Sequence, residues 1–179
     1  MNVLVVGSKG FIGTHCMTFL SDLGYNTVGC DVVESNEKDY YSLKSIDNNF
    51  NWLFQNYKFD CCINAAGSAH VSYSFQYPEK DFEKNVFLVI TLLGAIKNYS
   101  PACKLINFSS AAVYGNPVVL PIKEDCFAAP LSPYGYHKLL SGQGGLVELD
   151  QSEQVGLVGH GHRRHAQRRR ALDQGFHVD

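Results

Sequence analysis

Apolar positions in the first 141 residues follow two alternating periods, and the alternation predicts most of the secondary structure. Val3-Leu4-Val5-Val6 is a short unbroken apolar run ended by Gly7, the pattern of a strand buried on both faces. Phe11, Ile12, Cys16, Phe19, Leu20 and Leu23 then recur at helical spacing, with Gly24 as a stop signal. Thr27-Val28-Gly29-Cys30 reads as a second strand ending at Asp31, and the polar stretch from there to Ser42 leaves room for one more short strand. Phe50, Leu53, Phe54 and Tyr57 mark an amphipathic helix, and Cys61-Cys62-Ile63-Asn64 a short strand. Val86 through Ile96 belongs to a long helix opening near Pro78. Cys103 through Phe108 is a further strand, and a helical pattern resumes around Tyr134. Strand–helix alternation of this kind predicts an α/β fold, a doubly wound parallel sheet with helices on both faces.

The pattern fails after Ser141. Gly142, Gly144 and Gly145 fall within four residues, and each weakens a helix by ~1 kcal/mol against alanine. Composition changes at the same place. All ten lysines lie between Lys9 and Lys138, whereas all five arginines lie between Arg163 and Arg170. All ten tyrosines and all six prolines precede His137, while four of the seven histidines follow Ser141. We therefore divide the chain into a body, residues 1–141, and a tail, residues 142–179, that reads as a frameshifted, chimeric or truncated frame. A metal-binding or nucleic-acid-binding tail is the alternative, although His160, His162 and His165 have no evident supporting shell. With Val155 through Val158 as the tail's only short strand candidate, the strand ending at Phe108 is expected to present a bare edge.

Composition narrows the class. With 179 residues, 45% hydrophobic and 18% charged, the chain has the make-up of one globular domain. A formal charge of −2 excludes the basic footprint of a nucleic-acid binder. No apolar run reaches the ~18 residues of a membrane span. The N-terminus lacks the basic flank of a signal peptide. The six cysteines sit mostly in apolar runs without metal-type spacing, so the expectation is a reduced, cytoplasmic protein with no metal site. Cys61 and Cys62 should face opposite sides of one strand.

Gly7, Gly10 and Gly13 form Gly-x-x-Gly-x-x-Gly between the first strand and the first helix. Such a loop lets the main chain approach a pyrophosphate, and the helix N-terminus adds free N–H groups and partial positive charge. Asp31, 18 residues after Gly13, is placed to accept both ribose hydroxyls of an adenosine and to repel a 2′-phosphate. The body has no arginine to receive that phosphate, so NAD is expected over NADP. The alternative is that Asp31 only caps a turn. Downstream, Tyr134 and Lys138 stand four residues apart, on one face of a helix that Pro130 and Pro133 help to open. A neighbouring ammonium favours the phenolate form of a tyrosine. Ser109 and Ser110 follow the strand ending at Phe108, where a parallel sheet binds its ligands.

Five segments in this order, Gly7-Ser-Lys-Gly-Phe-Ile-Gly13, Asp31, Asn64-Ala-Ala-Gly67, Ser109-Ser-Ala-Ala-Val-Tyr-Gly115 and Ser132-Pro-Tyr-Gly-Tyr-His-Lys138, resemble the first half of an extended short-chain dehydrogenase/reductase. The resemblance is to the NAD-dependent epimerase/dehydratase family acting on nucleotide sugars, and it covers about residues 1–141. It implies a Rossmann-like domain with NAD at Gly7, Gly10, Phe11, Ile12, Gly13, Asp31, Ala65, Ala66 and Gly67. It implies Tyr134 as general base and acid, Lys138 as its activator and nicotinamide-ribose ligand, and Ser110 as the group orienting the reacting oxygen. Asn85 resembles a family asparagine that supports the site, and Asp39 loosely matches one near the adenine. Ser72 and Ser74, with His70, would contact sugar or diphosphate, or only line a loop. Ala111 and Ala112 stand where family dehydratases carry an acidic pair, which disfavours dehydration and leaves epimerisation or 4-ketone reduction. The implied partner is a nucleotide sugar, with a homodimer for the complete protein and no nucleic acid or membrane. A non-catalytic dinucleotide-binding module, or an inactive fragment, is the competing class. Ser110, Tyr134 and Lys138 are expected to line one cleft with the glycine loop.

Overall fold

A computed structural model describes residues 1–43, 49–123, 125–148 and 155–158. The arginines and clustered histidines of the tail lie outside the described residues. Strand β1, Asn2–Val6, forms from the apolar run and is followed by helix α1, Phe11–Asp22. Strands β2, Asn26–Asp31, and β3, Tyr40–Ser42, precede helix α2, Asn49–Asn56, and strand β4, Cys61–Asn64. Helices α3, Val71–Gln76, and α4, Pro78–Phe82, lead into a π-helical turn, Glu83–Phe87, and helix α5, Leu88–Tyr99. Strand β5, Lys104–Phe108, a 3-10 turn, Ala111–Tyr114, helix α6, Pro133–Glu148, and strand β6, Val155–Val158, follow.

The described strands make one parallel sheet in the order β3-β2-β1-β4-β5-β6. Its central register sets Val5 between Gly29 and Ile63, and Asn64 opposite Asn107. Because successive residues point to opposite faces, each strand feeds two cores. Leu4, Val6, Val28, Cys30, Cys62 and Leu105 pack under α2 and α5, whereas Val3, Val5, Cys61 and Ile63 pack under α1. Cys61 and Cys62 thus divide between the two faces as expected, and all six cysteines are free.

Three expectations are revised. The glycines after Ser141 do not end α6, which continues to Glu148. The edge of β5 is not bare, because Val155–Val158 pairs with it in parallel, from Leu105↔Val155 to Phe108↔Val158. Neighbouring backbone hydrogen bonds here outweigh the low strand propensity that Gly156 gives the segment. On α1 and its cap, Phe11, Ile12, Phe19 and Leu23 are exposed, and the inward stripe is buried Gly13 with partly buried Cys16, Met17 and Leu20. No described helix is long and apolar enough to cross a membrane.

Candidate functional site

The carboxyl ends of β1, β2 and β4 enclose a cleft of about 420 Å³. Its walls are Gly7, Gly10, Asp31, Ala65, Ala66 and Gly67, six of the expected residues, together with Val6, Lys9, Val32, Val33, Leu43, Lys84 and Leu88. The glycine loop is fixed by main-chain bonds. Gly7 N–H donates to Cys30 C=O at 2.8 Å, and Gly10 N–H to Gly7 C=O at 3.0 Å. Gly13 allows the first turn of α1 to press on that loop, since a Cβ there would fall 2.0 Å from the Gly7 carbonyl oxygen. Phe11 and Ile12 do not line the cleft. Their side chains face solvent, and what they can offer an anion is the unused N–H groups of the helix's first turn.

Asp31 ends β2 with both carboxylate oxygens turned to the main chain. Oδ2 accepts the Lys9 N–H at 2.8 Å and Oδ1 the Val32 N–H at 2.7 Å. A carboxylate has about four lone-pair sites, so acceptor capacity remains. Asp39, at a positive φ of 58° just before β3, is not part of the lining; Val32, Val33 and Leu43 supply the apolar wall there instead. The Ala65-Ala66-Gly67 turn is held from below, where Asn64 Oδ1 accepts the Ala66 N–H and Asn64 Nδ2 donates to Asn107 Oδ1 at 2.7 Å.

Ser110, Tyr134 and Lys138 are not among the cleft-lining residues. They lie on the 3-10 turn and the first turns of α6, which pack together. Ser110 Oγ accepts the Ala112 N–H at 3.2 Å and so caps its turn. Tyr134 and Lys138 are buried, at 8% and 7% exposure, because the segment from α3 through the π-helical turn covers this end of α6. Ser74 is fully buried there; its hydroxyl donates to Val71 C=O and accepts the Tyr134 N–H at 3.0 Å. That places Ser74 inside the protein as a cap on α6, while Ser72 is exposed.

Sequence reasoning missed the charged group beneath this surface. Asp81 is fully buried, with Oδ2 2.6 Å from His137 Nδ1. Asn85 Nδ2 donates to the Asp81 carbonyl, and Asn85 Oδ1 abuts Gly67 so closely that a Cβ there would lie 2.6 Å away. Asn85 owes its inward position to the π-helical turn, whose extra residue rotates it out of ordinary helical phase. Through Asn85 the patch around Tyr134 is therefore joined to the wall of the cleft. The Lys138 ammonium makes no hydrogen bond or ion pair among the described residues. Burial pushes its pKa down to about 8, with the Asp81 charge working in the opposite direction.

The profile of the NAD-dependent epimerase/dehydratase family matches residues 3–144. The chain belongs to that family. It is 34% identical over 158 residues to a bifunctional UDP-glucose 4-epimerase and UDP-xylose 4-epimerase of Arabidopsis thaliana, covering 77% of this chain and 44% of the relative. It is 32% identical over 153 residues to the UDP-glucose 4-epimerase of Azospirillum brasilense, covering 79% of this chain and 42% of the relative. Among solved structures, the UDP-glucose 4-epimerase of Thermotoga maritima with UDP-glucose superposes at a TM-score of 0.78 with 26% identity, covering 88% of this chain and 54% of that one. The Brucella ovis UDP-glucose 4-epimerase in complex with NAD gives 0.77 with 30% identity, covering 87% and 50%. The chain thus spans less than half the length of the curated relatives it matches. Among the described residues no group of three metal-ligating side chains comes together.

Proposed function

We propose that this chain forms the NAD-binding half of a nucleotide-sugar epimerase or 4-ketoreductase whose substrates are UDP-sugars. The cleft suits the dinucleotide: the space a Cβ would fill at Gly13 is taken by the glycine loop itself, which seats the unused N–H groups of the first turn of α1 against that loop for a pyrophosphate. Asp31 retains acceptor capacity for ribose hydroxyls, and Ala65, Ala66 and Gly67 form a side-chain-poor wall. When bound, NAD supplies a reversible acceptor for the hydride of a sugar carbon.

The chain's own residues handle the proton. Tyr134 accepts it from the sugar hydroxyl as the carbonyl forms and returns it in the reverse step. Ser110 orients that oxygen, and the Lys138 ammonium stabilises the phenolate. Ala111 and Ala112 leave no acid beside Ser110 to expel water, which supports epimerisation or ketone reduction over dehydration.

One observation carries the reading most: Lys138 is buried on the same face of α6 as Tyr134, with no hydrogen bond or ion pair for its ammonium among the described residues and only the opposing pull of the Asp81 charge. A fold that needed only a stable core would place a hydrophobe there, since an unpaired buried ammonium costs stability. The test is to titrate the chain with NAD calorimetrically and to assay UDP-glucose and UDP-xylose by sugar analysis. Binding with turnover supports the reading. Binding without turnover leaves the dinucleotide-binding module, and absence of NAD binding removes both.

A further inference from the structure

The absence of arginine from the body does not make the adenosine end of the cleft free of cations, because Lys9 stands in its wall. Its main-chain N–H is bonded to the Asp31 carboxylate at 2.8 Å, so the residue is tied to the group expected to read the ribose. Its side chain is held from two sides. The ammonium meets Glu37 Oε1 at 2.5 Å and lies 4.8 Å from the centre of the Tyr40 ring. Glu37 itself is tethered by its N–H to Ser35 Oγ, and its carboxyl sits below the usual range because of Lys9. A lysine here, left to itself, would be a ready counter-charge for a ribose 2′-phosphate.

We infer that Glu37 is a specificity-determining residue: by occupying the ammonium of Lys9, a residue of the cleft wall, it denies a 2′-phosphate its cation and turns the site toward NAD. Asp31 and Glu37 then divide the work. Asp31 recognises the unphosphorylated ribose through its free lone pairs, and Glu37 removes the one lysine bonded to that carboxylate's loop from use by NADP. Since Glu37 is well exposed and Lys9 partly so, the pair contributes little to folding. Its effect is expected in ligand choice, where a dianionic phosphate would sit beside either a neutralised or an unneutralised lysine.

The inference rests on the dinucleotide reading above and deepens it. The full chain, Glu37→Gln, Lys9→Gln and the double variant are each titrated with NADH and NADPH by fluorescence at low and high KCl. Glu37→Gln should improve the NADPH-to-NADH affinity ratio at least about tenfold, chiefly through tighter NADPH binding, and the gain should shrink as salt rises. The double variant should give the gain back, because the cation it exposes is gone. A ratio for Glu37→Gln within twofold of the unmodified chain overturns the inference while leaving NAD binding intact. A gain that survives in the double variant also overturns it, since Glu37 would then act by repulsion alone. An unmodified chain that binds neither cofactor overturns the dinucleotide reading and takes this inference with it.

Discussion

Around the cleft, the floor is main chain, the glycine loop and the Ala65-Ala66-Gly67 turn, and Asp31, Lys9, Val32, Val33 and Leu43 add side chains to its wall. The patch around Tyr134 is instead built of buried groups, packed under α3, α4 and the π-helical turn and joined through Ser74, Asp81, His137 and Asn85. The first site is held by contacts close in sequence or by strand register. The second depends on hydrogen bonds spanning 56 and 60 residues. A backbone site tolerates many side chains and fails at a few glycines. A side-chain site can lose its chemistry through one atom while its shape persists.

The largest effect should come from the second region. In any form of the protein that turns over a UDP-sugar, Tyr134→Phe should lower the rate by on the order of 10²–10⁴ or more, because the proton acceptor is lost. Most NAD affinity should survive, since the cleft does not include Tyr134. Retained turnover would transfer the role to another base. His137 is poorly suited to it, because its Nδ1 is already engaged by buried Asp81.

The first region should break through its backbone. Gly13→Ala places a Cβ 2.0 Å from the Gly7 carbonyl oxygen, a contact that only movement of the loop can relieve. We expect NAD affinity to fall at least about a hundredfold, with circular dichroism showing whether the sheet survives; a clash relieved within the loop costs no more than ordinary overpacking, roughly 1–3 kcal/mol. A Gly13→Ala variant that binds NAD normally would show that α1 can shift without consequence for the cleft.

This division explains what could be read from the chain alone. The strands, the glycine loop and Asp31 are carried by local spacing, so the sheet through β5 and six cleft residues follow from the sequence. Asp81 is invisible in that reading because an acidic residue in Pro78-Glu79-Lys80-Asp81 looks like a solvated first turn; only tertiary packing buries it against His137. The same holds for Ser74, whose cap on α6 needs two helices brought together. Val155–Val158 was legible as a strand candidate, but its place was not, because the hydrogen-bonding edge of β5, rather than propensity, selects it. Lys9 was passed over as one residue of a glycine loop, and the Glu37 pairing that gives it meaning lies 28 residues away.

Lys138 offers a way to measure the cost of the side-chain site. Its folded pKa, about 8, lies below the ordinary 10.5 of a lysine, so the unfolded chain binds more protons between those values. Stability from this group should therefore rise as pH climbs from about 8 toward 10.5, and the buried charge should penalise the fold below that window. The shift corresponds to on the order of 3 kcal/mol. Lys138→Met should accordingly raise the unfolding midpoint at pH 7, with the gain shrinking toward pH 10, and turnover should be lost. A midpoint that falls at pH 7 would mean that the ammonium has a partner when folded and that its burial is structural.

The smallest effect sharpens the comparison at Asp31, the carboxylate in the cleft wall. Asp31→Ala removes the acceptor for ribose hydroxyls and also frees the Lys9 and Val32 N–H groups it now holds. The second loss loosens the loop for either cofactor, so it weakens NADH and NADPH alike. The first falls harder on NADH, which has two adenosine ribose hydroxyls to lose against one in NADPH, and removing the carboxylate also relieves repulsion of a 2′-phosphate. The expected result is weaker binding of both, with the NADH preference narrowed by roughly tenfold, or about 1.4 kcal/mol. Asp31→Asn separates the two contributions, because its Oδ1 can still accept one main-chain N–H while the charge is gone. If both variants weaken the two cofactors equally, Asp31 serves only to hold the turn, and the cleft is a backbone site throughout.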